Sequence, residues 1–160
     1  MRDQRFVAKH RGGALERAHH QLLAVWAADC GEHVLLRFGE AEADDRPRQA
    51  ITVARVWARG DIRTGFAQKA SVAAHAAARE LGDPIGIAVA RAAGYAAATA
   101  HMADHCIGAA YYALKAIEAS QGACDPEQAW QAAQVPEVLR EWIVSAMCSR
   151  FPARFGGIQA

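Results

Sequence analysis

The run His101-Met102-Ala103-Asp104-His105 has the residue types and spacing that most clearly suit chemistry. Positions i, i+3 and i+4 share one helix face, and two imidazoles with a carboxylate are ligands a divalent transition metal accepts. His101, Asp104 and His105 therefore permit a metal site. They do not define one, because the glutamate of the metalloprotease helix is missing and no further ligand follows from sequence. The other reading is a polar layer where helices meet, each imidazole donating to a carboxylate or a backbone carbonyl; the sequence favours it. Gly94 and Gly108 stand seven residues on either side of His101, small enough to admit a neighbouring helix. Asp29 and His33, four apart beside the Leu22 and Trp26 stripe, face the same interior. They either pair with each other or converge with His101 and His105 on a four-ligand metal or acid-base site.

A second group is basic. Arg48, Arg55 and Arg59 line one side of a helix, and His75 and Arg79 lie four apart on the next. A guanidinium fork suits a carboxylate or phosphate, so these faces could hold an acidic partner. The same arginines equally serve as solvated charge or as bridges within the chain.

Nothing completes a catalytic signature, which weighs against an enzyme. There is no Gly-x-Ser-x-Gly elbow, and Ser71, Ser120, Ser145 and Ser149 have no base near them in sequence. Phosphate-loop and dinucleotide fingerprints are absent. Cys30, Cys106, Cys124 and Cys148 are dispersed, which argues for small apolar fillers over a zinc site or a disulfide framework. Trp26, Trp57, Trp130 and Trp142 recur at helical spacing with apolar residues and read as core.

These residues must be positioned by helices. Leu15, Leu22, Leu23, Trp26, Cys30 and Val34 predict a long first helix over 14–38, and Pro47 opens a second, to about Arg59, with Ile51, Ala54 and Trp57 inward. The acidic connection 39–45 separates them. Phe66, Ala70, Ala73, Ala77 and Leu81 describe a third helix, ended by Gly82. Asp83-Pro84 is a start signal, aspartate capping and proline at the first helical position. The helical pattern then runs to about Ala119. An unbroken helix of that length would reach roughly 50 Å, so a break is expected, at Gly94 or, better, over 99–103, with Thr99 capping and Asp104 in a first turn. Gln121-Gly122 ends this stretch, Asp125-Pro126 starts a short helix, and Val135-Pro136 starts the last, to about Arg150. No alternating strand pattern survives outside these windows. The expected fold is all-α, one domain over 1–160 with about six or seven helices packed as antiparallel hairpins, a polar segment at 1–12 and an irregular tail at 151–160.

The chain has 160 residues, 52% of them hydrophobic, and a net charge of +1. Much of the hydrophobic fraction is alanine, which favours close helical layers. Near-neutral charge offers no field for nucleic acid or anionic lipid. The start at Met1-Arg2-Asp3 lacks a signal pattern, and no stretch approaches about twenty apolar residues, so the expected location is the cytoplasm, without a membrane partner.

Four segments carry a resemblance to a known group. They are Trp26-Ala27-Ala28-Asp29-Cys30 with Glu32-His33-Val34-Leu35, Arg46-Pro47-Arg48-Gln49-Ala50-Ile51 with Trp57, Ala74-His75-Ala76-Ala77-Ala78-Arg79, and Thr99-Ala100-His101-Met102-Ala103-Asp104-His105. Their order and spacing resemble the immunity proteins of bacterial polymorphic-toxin systems, the immunity-5-like group, over most of residues 10–118. The last forty residues add little. The resemblance implies a small helical cytoplasmic protein that binds a cognate toxin and masks its active surface. It marks Asp29, His33, Arg46, Arg48, His75, Arg79, His101, Asp104 and His105 as candidate binding positions that equally serve the fold. The competing expectation is a helical protein binding a divalent metal or small ligand, with hydrolytic chemistry open to it, through His101, Asp104 and His105. Homodimerisation through alanine-rich faces is a further expectation.

Overall fold

The computed structural model describes residues 3–39 and 44–157, and the acidic connection expected at 39–45 falls largely outside them. Eight α-helices follow in order: α1 (Arg17–Phe38), α2 (Arg46–Ala58), α3 (Thr64–Glu80), α4 (Pro84–Ala98), α5 (His105–Ala119), α6 (Cys124–Gln134), α7 (Arg140–Arg150) and α8 (Pro152–Phe155). Three 3-10 turns, Gln4–Phe6, Lys9–Arg11 and Glu137–Leu139, complete the set, and there is no strand among the described residues. The all-α class holds, with eight helices where six or seven are expected.

Helix α4 is the hub, packing against α1, α2, α3 and α5. Its buried residues are alanine except for Val89 and Gly94, so neighbouring backbones come near. Gly31 shows how near: a Cβ built there would lie 3.5 Å from the Ala93 nitrogen of α4. Around this small-residue layer, Trp26, Leu23, Ile107, Leu114, Ile117, Leu139, Ile143, Met147 and Phe155 fill the wider gaps in one continuous apolar cluster. Shape, more than the size of individual side chains, holds these helices in register.

The long helical stretch breaks where its length requires. Asp83 caps α4 by accepting from Ile85 N at 3.3 Å and Gly86 N at 2.8 Å, with Pro84 in the first turn. At the other end buried Thr99 donates through Oγ1 to Tyr95 O at 3.0 Å, so it closes α4 instead of capping α5 as expected. A hydroxyl bonded back one turn competes with continuation of the helix. Residues 99–104 turn, and α5 restarts with Asp104 at its cap position but without a side-chain cap bond.

Other expectations need correction. The inward face of α3 is Ala67, Ser71, Ala74, Ala77 and Ala78, whereas Phe66 is 59% exposed and Leu81 also faces out. The larger apolar residues suggest the wrong stripe, because the crowded site against α4 admits only small ones. Leu22 is likewise exposed. The last helix starts at Arg140 after the 3-10 turn Glu137–Leu139, and the tail is not wholly irregular: α8 opens with Pro152 and buries Phe155 completely. The described part of the polar N-terminal segment forms two 3-10 turns, anchored by buried Phe6 and a parallel bridge between Ala8 and Leu15.

Candidate functional site

The break between α4 and α5 gathers an aromatic column. Tyr95 of α4 stacks on Tyr112 of α5 with centroids 5.3 Å apart, meets His75 of α3 edge-on at 5.1 Å, and lies 5.3 Å from His105. His101 follows at 5.3 Å from His105, and Arg91 covers the outer face of Tyr112 at 5.6 Å. Both glycines serve this column in an unforeseen way. They admit rings, not a neighbouring helix backbone: a Cβ on Gly94 would sit 2.8 Å from His75 Cε1, and one on Gly108 2.5 Å from Tyr95 Cδ1. Burial holds the His75 imidazole below its usual pKa, and Arg91, His105 and Arg79 add to the effect; burial lifts the Tyr95 phenol. Both shifts favour the uncharged forms of His75 and Tyr95.

Of the sequence candidates, the structure brings His75, His101 and His105 together through Tyr95. Asp104 instead turns to Arg150 of α7, with 3.1 Å between Arg150 Nη2 and Oδ2. Among the described residues no group of three or more His, Cys, Asp or Glu side chains is arranged to hold a metal ion.

Asp29 and His33 neither pair with each other nor reach that column. Asp29 accepts from Arg55 Nη1 of α2 at 2.8 Å, and Glu32 takes the same guanidinium at 2.6 Å, tying α1 to α2. His33 stacks on Trp130 of α6 at 3.9 Å and places Nδ1 2.9 Å from the carboxylate of Glu127, whose side chain is 2% exposed. Beneath lies a buried polar knot that the sequence reading missed. Gln131 donates to Glu127 Oε1 at 3.0 Å and to Ala110 O at 3.1 Å, while Trp26 Nε1 donates to Gln131 O at 3.0 Å. The knot joins α1, α5 and α6. Its only sequence signal is the four-residue spacing of Glu127 and Gln131, which usually marks a solvated face. Cys30 lies in the same interior, where burial and the Glu127 charge push its thiol well above the ordinary range, so it is inert filler as expected.

The remaining cations divide. Arg46 binds Asp44 and reaches Glu80 at the end of α3, and Arg48 lies 4.0 Å from Asp45. Arg59 pairs with Asp61 at 2.9 Å, and Arg79 is exposed. The expected basic stripe on α2 is thus largely neutralised by the chain's own carboxylates.

A cleft of about 920 Å³ opens beside the break, between the N-terminal segment, the α2–α3 connection and residues 100–103, and shares His101 with the column. His20 forms part of its wall: Nε2 donates to Thr99 O across 2.6 Å, and the ring meets Trp57 edge-on at 4.8 Å. Trp57 in turn donates to Thr64 Oγ1 at 3.1 Å. Burial lowers the His20 pKa, partly offset by the Thr99 carbonyl, and the neighbouring cations His10, Arg11 and Arg17 lower it further. Lys9, Arg11, Arg17 and Arg63 are basic residues of the lining; Glu16 and Asp61 are its acids. The signals in sequence were Lys9-His10-Arg11, within the polar segment 1–12, and His19-His20, within the predicted first helix.

The described residues form an all-α protein built on a helix hub, with an aromatic-histidine column at the break between α4 and α5. The chain belongs to the family described as Imm-5 like putative immunity protein, whose model matches residues 13–138. That match spans α1 to α6 and reaches into the 3-10 turn before α7. No curated protein and no solved structure matches the chain. Among the described residues no helix is long and apolar enough to cross a membrane.

Proposed function

We propose that this protein binds and neutralises a cognate bacterial toxin in the cytoplasm of the cell that makes both. The observation that carries the reading is membership of the immunity family across 13–138. The geometry supports it from the other side. The imidazoles of the central column are packed against rings, the carboxylates Asp29, Glu32, Asp104 and Glu127 are engaged by Arg55, Arg150 and His33, and the thiols of Cys30 and Cys106 are buried with raised pKa values. A rigid helical body with such occupied polar groups is suited to presenting a surface.

Co-expression with the toxin encoded beside its gene tests the proposal. The expected result is restored growth and a complex that co-purifies at defined stoichiometry. Growth arrest despite full expression of the folded protein, with no complex, would refute it.

A further inference from the structure

The 920 Å³ cleft carries charge that the rest of the molecule does not balance. Its two acids are already matched: Glu16 pairs with Lys9, and Asp61 with Arg59. Arg11, Arg17 and Arg63 remain, all exposed at the rim and outside any ion pair among the described residues. A chain of net charge +1 thus gathers three uncompensated guanidinium groups at one opening.

Two helix starts add to them. The 22-residue α1 begins at Arg17 and the 17-residue α3 begins beside Arg63, both on the cleft lining, and neither has a side-chain cap bond. Uncapped N-termini present free N–H groups and the positive end of the helix dipole. Between these positive elements Trp57, Ile62 and Met102 offer apolar surface. The volume lies near the upper end of ligand pockets, about 300–1,000 Å³, more than a lone anion fills. Arginine and tryptophan around a partly enclosed hollow are also the residue types that dominate protein–protein binding energy.

Resting on the toxin-binding reading above, we infer that this cleft is where the partner docks, by inserting a segment that carries aspartate or glutamate side chains. The carboxylates meet Arg11, Arg17 and Arg63 as forked pairs and the two helix starts, while an apolar side chain of the same segment lies on Trp57.

The test compares two triple variants in binding to the neighbouring toxin. One is Arg11→Glu with Arg17→Glu and Arg63→Glu; the other is Arg37→Glu with Lys69→Glu and Lys115→Glu, which changes the same charge at three residues away from the cleft. Arg17 and Arg63 stand at helix starts, which glutamate suits, and Arg11 is exposed at the end of a 3-10 turn, so the cleft variant keeps its fold, checked by its melting curve. We expect the cleft variant to lose about 100-fold or more in affinity through inverted complementarity, and the control less than about 5-fold. A fluorescein-labelled hexaglutamate peptide should bind the wild type, with salt-sensitive affinity, and not the cleft variant; inorganic phosphate should displace it poorly. A wild-type toxin complex that survives reversal of the cleft overturns the inference and leaves the immunity reading intact. Hexaglutamate binding without any toxin complex overturns the immunity reading and upholds the cleft's preference for acidic segments. Tighter capture of short duplex DNA than of the peptide overturns that preference.

Discussion

Gly108 tests whether the aromatic column is as rigid as its geometry implies. In an ordinary helix interior, Gly→Ala stabilises by about 1 kcal/mol. Here a Cβ would lie 2.5 Å from Tyr95 Cδ1 and 2.9 Å from both Cε1 and Cγ, so the ring is struck near its root and cannot swing only its tip away. Its escape is also limited, with His75 at 5.1 Å and His105 and Tyr112 each at 5.3 Å. Overpacking costs roughly 1–3 kcal/mol, and the confinement places this site in the upper half of that range. Gly108→Ala should therefore destabilise by about 1–2 kcal/mol net, lowering the melting temperature by roughly 2–8 °C in a chain of this size. The decisive measurement is the same substitution in a Tyr95→Ala background, by urea unfolding. With the ring gone the clash vanishes and the helix-propensity gain of about 1 kcal/mol should emerge, a coupling of about 2–3 kcal/mol between the two positions. If Gly108→Ala stabilises the wild type, or has the same effect with and without the ring, the column is plastic and the packing argument fails.

Two further outcomes follow from buried groups. Glu127→Ala should cost about 1–3 kcal/mol in urea unfolding, because it takes one acceptor from the Gln131 amide in a dry interior, and His33→Ala should cost a similar amount, because it leaves the buried Glu127 carboxylate without its imidazole partner; a cost near zero for either would mean the knot is not the anchor. His20 and His75 both have folded pKa values below the unfolded 6.5, so the folded state binds fewer protons and stability falls as pH drops through 6.5 towards the folded values. Unfolding followed from neutral to mildly acid pH should show this loss, and the double variant His20→Gln/His75→Gln should flatten it; an unchanged slope would show that other groups govern the window.

Much of the fold was legible because local signals coincide with it. Asp83-Pro84 acts as cap and first turn, and the break at 99–104 covers the stretch 99–103, where a limit on helix length had placed it. Where reading failed, an apolar side chain was taken as an inward one. Alanine-lined layers reverse that rule: Phe66 and Leu81 face out, and the methyl groups of Ala67 and Ala74 go in beside the expected Ala77. The candidate site was legible only in part. His75, His101 and His105 were found, and nothing in a linear spacing shows that Tyr95 joins them, since that depends on where α3, α4 and α5 cross. Asp29 and His33 looked like one pair because they are four apart, yet α2 and α6 supply each a stronger partner.

The ion pairs give the near-neutral charge its meaning. Arg55 joins α2 to α1, Arg46 joins α2 to the end of α3, Arg150 joins α7 to the start of α5, and Arg154 joins α8 to Glu118 of α5. Individually such half-exposed pairs contribute little, about 0–1 kcal/mol, so their main consequence is positional. Each engages a carboxylate that would otherwise soften the field at the surface. With Glu16 and Asp61 also matched, the acids near the N-terminal cleft are neutralised where they stand, and Arg11, Arg17 and Arg63 act unopposed over a short range. Screening limits that range to about 8–10 Å at ordinary salt, so whole-chain charge says little about what a partner meets at the opening. A protein that reads as neutral from its composition can therefore steer an acidic surface to one face, and charge reversal at that face must slow association more than the same reversal anywhere else.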